Sequence, residues 1–185
     1  AEEWVHYPGC ASPLTGQTRV VMSVAPGDDW TNAFCAAAGA TLARGEGVVM
    51  CVPDHLDVKR LDEAMRRRWG DQHHVVLTAD LGPAARYRAF LALSRGQVQI
   101  VIGTRAAAFA PVKRLGLVAI WDDGDDLFHE PRAPYCHSRE VLLQRAQQAN
   151  AGVLVAGYAR SVEAQYLVRT GWATEVAAQR ALLRE

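Results

Sequence analysis

The sequence predicts an α/β domain: a mostly parallel β-sheet with helices on both faces. Three observations lead there. Short apolar runs alternate with helical patterns along most of the 185 residues, as repeated βαβ units require. The runs at 99–102 and 117–120 lack polar alternation and are bounded by glycines, which suits strands buried on both faces. Each run leads into a polar cluster, Gly103-Thr104-Arg105 after the first and Asp122, Asp123, Asp125 and Asp126 after the second. Ligands of open α/β sheets bind beyond the carboxyl ends of the strands, so both clusters stand where function is expected.

Residues 1–18 are rich in Pro, Gly and Ser and lack periodicity. They are expected to be a lead-in segment anchored by Trp4 and Tyr7. Residues 19–24 form the first strand, followed by a turn over 25–29. An Ala-rich helix runs from 30 to 44, because Ala is the best helix former, and stops at Gly45. Residues 48–52 are the second strand. Asp54 is placed to cap a helix over 55–69, whose Leu61, Met65 and Trp69 fall on one apolar face. Residues 74–78 are the third strand. Pro83 then opens a helix to about 94, with Tyr87, Phe90, Leu91 and Ser94 on one face.

After the strand 99–102 comes a loop-helix at 105–111, then the strand 117–120. A helix follows over 138–150, with Asn150-Ala151-Gly152 as its stop. Residues 153–156 are a further strand. Ser161 caps a helix ending near Thr170-Gly171, and 175–184 is expected to be helical. These elements divide the chain into a lead-in at 1–18, a main domain at 19–172 and a helical tail at 173–185. No internal repeat or low-complexity segment is visible.

Half of the residues are hydrophobic, enough for a real core, and Lys+Arg and Asp+Glu balance at 20 each. A free-standing nucleic-acid binder is usually basic, so neutrality argues against a strong grip on DNA by this piece alone. Cys10, Cys35, Cys51 and Cys136 are scattered without metal-ligand spacing, which predicts reduced cytosolic thiols rather than a zinc site or disulfide framework. No apolar run reaches the roughly 18 residues of a membrane span, and no signal peptide is visible. The chain opens at Ala1 with no obvious N-terminal element and is expected to be an excised domain.

Residues 101–135 organise the rest. Gly103-Thr104-Arg105-Ala106-Ala107-Ala108-Phe109-Ala110-Pro111 is followed by a Leu-Gly-Leu strand, an acidic turn, and the helix entry Tyr135-Cys136-His137-Ser138-Arg139-Glu140. This order resembles the primosomal protein N′ (PriA) family of bacterial replication-restart helicases, in its first RecA-like lobe. The resemblance covers about residues 19–172 and implies a RecA-like, P-loop NTPase-type fold. Val52-Pro53-Asp54 matches the family's V-P-E. Gly157-Tyr158-Ala159-Arg160-Ser161 occupies its G-S-A-T-P place, which couples nucleotide state to DNA; Ser, Thr and Pro are replaced. The family's DNA-binding N-terminal region, zinc-binding insert and second RecA-like lobe are not visible here, so its zinc site lies outside this chain.

The resemblance also exposes departures. A phosphate-binding loop reads G-x-x-x-x-G-K-[ST], with bare backbone N–H groups and a Lys for charge. Here the eight positions are Val24-Ala25-Pro26-Gly27-Asp28-Asp29-Trp30-Thr31. Gly27 and Thr31 remain, the Lys is Trp30, and the second Gly is Asp29. At ~5 Å and an effective dielectric of ~20, each carboxylate–phosphate charge pair repels by roughly 3 kcal/mol. Asp28 or Asp29 can instead cap the helix, stabilising it by about 1 kcal/mol. A nucleotide in a new pose, its base stacked on Trp30, is a third possibility. The family's D-E-x-H reads Trp121-Asp122-Asp123-Gly124. The Mg²⁺ position is then Trp121, which cannot ligate the ion, and the water-orienting position is Asp122.

Each site has two readings. The acidic loop is either a solvated surface loop or, through Asp122, Asp123, Asp125 and Asp126, the basis of a metal-dependent hydrolase. Gly103, Thr104 and Arg105 contact the DNA backbone in the lobes they resemble, with Lys113 and Arg114 adding charge; otherwise Arg105 pairs with a nearby Asp as a structural tie. His137 and Arg139 are expected to tie helix to loop. His73 and His74 are expected at the surface, and Arg66, Arg67 and Arg68 on a solvated helix face or against DNA.

Both phosphate-site signatures are lost while the DNA-side loop is kept. The leading expectation is a lobe of a replication-restart protein that helps recognise stalled or forked DNA and reassemble the primosome without hydrolysing ATP. The rival is an ATP-dependent 3′–5′ DNA helicase lobe with an unorthodox nucleotide site. ATP and Mg²⁺ belong to the resemblance, but no cofactor is expected in this chain. Expected partners are forked or single-stranded DNA and other primosome proteins, not membrane. The expected location is the cytoplasm, associated with the nucleoid.

Overall fold

The computed structural model describes Tyr7 and residues 18–178. Seven parallel strands form one sheet in the order β3-β4-β2-β5-β6-β1-β7. They are β1 (Arg19–Ser23), β2 (Gly47–Cys51), β3 (His74–Leu77), β4 (Ile100–Gly103), β5 (Leu115–Trp121), β6 (Gly152–Gly157) and β7 (Thr174–Ala177). The helices are α1 (Trp30–Leu42), α2 (His55–Trp69), α3 (Pro83–Arg95), α4 (Ser138–Ala149) and α5 (Val162–Arg169).

The apolar strands serve two faces because their side chains alternate. Val48, Met50, Ile100, Ile102, Leu117, Ala119 and Leu154 pack with Phe34 and Ala38 of α1 and Leu61 and Met65 of α2. Val49, Val101, Val118, Ile120, Val153 and Val155 pack on the other side with Leu93, Leu142 and Ala164, from α3, α4 and α5. A strand covered on both faces has no polar side, so its sequence reads as an unbroken apolar run.

Helix ends follow local chemistry. Asp29, Asp54 and Ser161 are N-caps whose side chains accept backbone N–H groups of α1, α2 and α5. Gly96 and Asn150 end α3 and α4 in the left-handed conformation. The loop-helix expected after β4 is a short 3-10 turn at Arg105–Phe109, held by Arg145 of α4, which donates to the carbonyls of Ala108 and Ala110.

Three expectations need correction. Residues 175–177 belong to a strand, because Thr174–Ala177 closes the open edge of β1 with Val176 buried; edge pairing overrides the helical propensity of the Ala-rich tail. The rest of that tail, from 179 onward, lies outside the described residues, as does Trp4. The face of α3 is also rotated. Leu93 is its buried residue, with Ala89 and Phe90 against the core, whereas Tyr87 and Ser94 are exposed. Finally, His74 is buried, its Nε2 2.7 Å from Oδ1 of Asp62. It joins β3 to α2, while His73 is exposed as expected.

Tyr7 anchors the lead-in. It is buried, donates to Asp28 Oδ2 at 2.6 Å, and accepts the N–H of Ala25 at 3.0 Å. Cys35 and Cys51 are buried and Cys136 half-buried. Burial pushes the Cys51 thiol up to about 12. Among the described residues no helix is long and apolar enough to cross a membrane.

Candidate functional site

All strands run the same way, so their following loops gather along one edge of the sheet. There the loops after β1, β5 and β6 meet, and the loops after β2, β3 and β4 lie beside them.

The turn after β1 is closed upon itself. Gly27 takes a positive φ of 94°, open to glycine. Asp29 Oδ1 accepts the Thr31 N–H at 3.0 Å and the Thr31 hydroxyl at 2.7 Å. Asp28 is engaged by Tyr7. The self-capped helix start expected from the two aspartates is the arrangement found.

Trp30 and Trp121 lie flat against each other, ring centroids 4.5 Å apart and planes 9° from parallel. Phe34 meets Trp30 edge-on at 5.1 Å, and Tyr158 from the β6 loop meets Trp121 edge-on at 4.9 Å. Both indoles are 3% exposed. The positions that resemble the phosphate-loop Lys and the Mg²⁺ carboxylate are therefore joined by aromatic packing. Trp121 covers one face of the Trp30 ring, so that face is not open to a base.

The acidic loop is not uniformly solvated. Asp123 is buried and pairs with Arg139 at 2.9 Å, side chains 4% and 5% exposed. Its Oδ2 also accepts the Ser161 hydroxyl at 2.7 Å, and that Ser161 oxygen caps α5. Arg139 reaches Glu140 and Glu163, each at 3.1 Å. A buried ion pair is tolerable only with its remaining hydrogen bonds filled, and this network fills them. It fastens the starts of α4 and α5 to the end of β5.

Asp125 is spent on the Leu127 N–H at 2.7 Å. Asp122 is exposed and holds a positive φ of 52°. Partial desolvation, then Asp125 and Asp123, push its carboxyl up. The same causes, burial first and then Asp54, raise Asp57 nearby. Among the described residues no three His, Cys, Asp or Glu side chains converge; Asp123 is taken by Arg139 and Asp125 by the Leu127 N–H.

On the other side of β2, Gly103 lies where an added Cβ would overlap the Leu77 carbonyl oxygen, so β3 and β4 meet without a side chain between them. Arg105 donates to the carbonyls of Leu127 and His129, both at 2.9 Å, and its Nε stands 3.3 Å from Glu130. Arg105 is thus a structural tie, but to two carbonyls and a Glu rather than to the expected Asp, and its side chain stays 35% exposed. Thr104 and Arg105 line a groove of about 530 Å³ with Pro53, Arg86, Phe109 and Leu127. Lys113 and Arg114 do not add charge here. They precede β5 beside Gly96 and Gly47, at the amino ends of the strands and on the opposite edge.

His137 and Arg139 do tie helix to loop. Nδ1 of His137 accepts the Arg139 N–H at 3.1 Å, capping α4, and its ring packs edge-on against His129 at 4.5 Å. Burial, then the Arg139 charge, push His137 below its ordinary value. Arg160 bonds Ser23 and Gln165. Arg66 is exposed and pairs with Asp62 and Asp71; Arg67 and Arg68 are also exposed.

Sequence reasoning missed the Trp30–Trp121 stack and the burial of Asp123. The signal for the first was present, since two tryptophans replace the two residues that would jointly hold Mg-nucleotide.

No protein-family model matches the chain. It is 48% identical over 166 residues to the probable replication restart protein PriA of Mycobacterium tuberculosis, a match covering 90% of this chain and 25% of that protein. It is 32% identical over 157 residues to the replication restart protein PriA of Treponema pallidum, covering 85% and 24%. The chain thus spans about a quarter of the length of the curated relatives it matches. Among solved structures, a hypothetical ATP-dependent RNA helicase from Sulfolobus tokodaii superposes with a TM-score of 0.63 at 16% identity, over 88% of this chain and 48% of that one. That likeness speaks for the fold, which is RecA-like. At 48% identity over 90% of its length to one such protein and 32% over 85% to another, the chain belongs to the PriA replication-restart family.

Proposed function

We propose that this chain is the first RecA-like lobe of a replication-restart protein and works as a binding scaffold. In the full-length protein it helps recognise stalled or forked DNA in the cytoplasm and reassemble the primosome, without hydrolysing ATP. The observation that carries this reading is the Trp30–Trp121 stack. An ATPase lobe needs a cation for the phosphates and a carboxylate for Mg²⁺ there; this chain places two indoles at those positions, and the cations lining the adjoining pocket of about 350 Å³, Arg60 and Arg67, come from α2 instead. The N–H of Thr31 is taken by Asp29, and two carboxylates face any incoming triphosphate.

DNA contact is assigned to the loop of Gly103, Thr104 and Arg105. Thr104 presents a hydroxyl beside the groove, and Arg105 holds the loop to the segment after β5. Backbone-directed contacts of this kind position a strand without reading its sequence.

The test uses the full-length protein and a forked DNA. Fork affinity is expected to be equal with and without Mg-ATP, with no DNA-stimulated turnover. ATP turnover that rises with fork, or strand separation driven by ATP, would restore the 3′–5′ helicase reading.

A further inference from the structure

A second groove lies outside the described site. It has a volume of about 610 Å³ and is lined by Ala79, Leu81, Pro83, Arg86, Tyr87 and Phe90. Ala79 and Arg86 also line the groove of Thr104 and Arg105, so the two run together around the carboxyl ends of β3 and β4. We infer that this continuous channel seats a single nucleic-acid strand, with one base against Tyr87 and the adjoining phosphate beside Arg86. The inference rests on the DNA reading above and names a contact on α3 that the reading does not contain.

Five observations favour a nucleic acid there. Tyr87 of α3 is 66% exposed, and an exposed ring is a sequence-tolerant platform for a base. Helix α3 carries Arg86, Arg88 and Arg95 and no carboxylate over its whole length. Its first turn has no acidic residue, and its Gly82 N-cap supplies no side-chain hydrogen bond, so the positive end of the helix is uncompensated beside the groove. Among the described residues Arg86 donates at 3.3 and 3.4 Å to the Thr78 and Ala79 carbonyls, and those neutral partners leave its charge available. The nearby carboxylates are Asp80, exposed, and Glu130, which faces Arg105. Apolar walls from Leu81, Pro83 and Phe90 suit the edge of a base.

The test measures binding of a labelled oligo(dT) strand, a duplex of the same length, and a fork to the full-length protein and its variants. Because Tyr87 is exposed, Tyr87→Ala should melt with the wild type. It should weaken the single strand about 5- to 150-fold, the range of one lost base stack, and leave the duplex unchanged. Tyr87→Phe should retain near wild-type affinity, since the ring stays. Arg86→Ala should lower the slope of log affinity against log salt by about one phosphate contact. Unchanged single-strand affinity in Tyr87→Ala, with fork binding still sensitive to Thr104→Ala, overturns this inference and leaves the DNA reading standing. Loss of a primosome protein instead of the strand in Tyr87→Ala also overturns it, and makes the groove a peptide seat. Failure of the wild type to bind strand and fork alike removes the DNA reading itself.

Discussion

Truncation of Trp121 to alanine tests whether the aromatic joint is structural. Trp121 is 3% exposed and touches three rings: Trp30 face to face, with Phe34 at 6.4 Å and Tyr158 at 4.9 Å edge-on. Removing a buried Trp side chain costs about 3–5 kcal/mol through lost transfer energy and the cavity left behind. Each lost aromatic pair adds about 0.5–1.5 kcal/mol beyond area burial. The neighbouring rings can relax into part of the gap, so about 4 kcal/mol is expected for Trp121→Ala. For a domain of this size that corresponds to a melting point lower by ~8–16 °C. Trp121→Phe keeps a ring and should lose less than half as much. A Trp30→Ala, Trp121→Ala double-mutant cycle should show coupling of about 1 kcal/mol. The assay is urea unfolding followed by far-ultraviolet circular dichroism, with thermal melts as a second reading. A Trp121→Ala protein within ~2 °C of the wild type would refute the reasoning, because the rings would then be lining an adaptable site.

Breaking the buried bridge with Asp123→Ala should cost about 3 kcal/mol in the same unfolding assay, since Arg139 loses its buried partner and Ser161 an acceptor. His137 titrates below its ordinary value of 6.5 because burial disfavours the charged ring. Its contribution is therefore full above 6.5 and is lost as pH falls through the lower folded value. His137→Asn, which keeps a capping oxygen, should flatten the loss of stability on acidification below 6.5, read from melts across pH. The raised carboxyl of Asp122 runs the other way. Its ionised form is the disfavoured one, so Asp122→Asn should gain stability at neutral pH, and the pH-dependent part should vanish below the ordinary carboxylate range. Arg105→Ala should weaken fork binding by the full-length protein, checked across salt. Because Arg105 is tied to Leu127, His129 and Glu130, the salt slope should change by less than one phosphate contact.

What could be read from the sequence is what local chemistry decides. Asp29, Asp54 and Ser161 announce helix starts because their side chains reach N–H groups two or three residues on. The strands announce themselves because burial on both faces leaves no room for polar side chains. The alternation of strand and helix followed from these, whereas the RecA-like expectation came from the resemblance carried by Gly103–Pro111, the acidic turn and the helix entry. The misses are all non-local. Trp30 and Trp121 are remote in sequence and meet only once the loops after β1 and β5 share an edge. Asp123 reads as one carboxylate among four until Arg139 and Ser161 are brought to it by α4 and α5. Lys113 and Arg114 are close to Arg105 in sequence, yet β5 begins just after them, so they fall on the far edge of the sheet. In α3 the arginines interrupt the apolar pattern, and only packing against the sheet selects Leu93 over Tyr87.

The account rests most directly on whether the rewritten loop still holds triphosphate. The measurement is a calorimetric titration of this chain with Mg-ATP at near-physiological salt. No heat of binding and no thermal stabilisation are expected at millimolar nucleotide, as repulsion by Asp28 and Asp29 and the closed Trp30–Trp121 stack require. Binding tighter than about 100 μM, a free energy of roughly −5.5 kcal/mol, would contradict it and return ATP chemistry to this lobe.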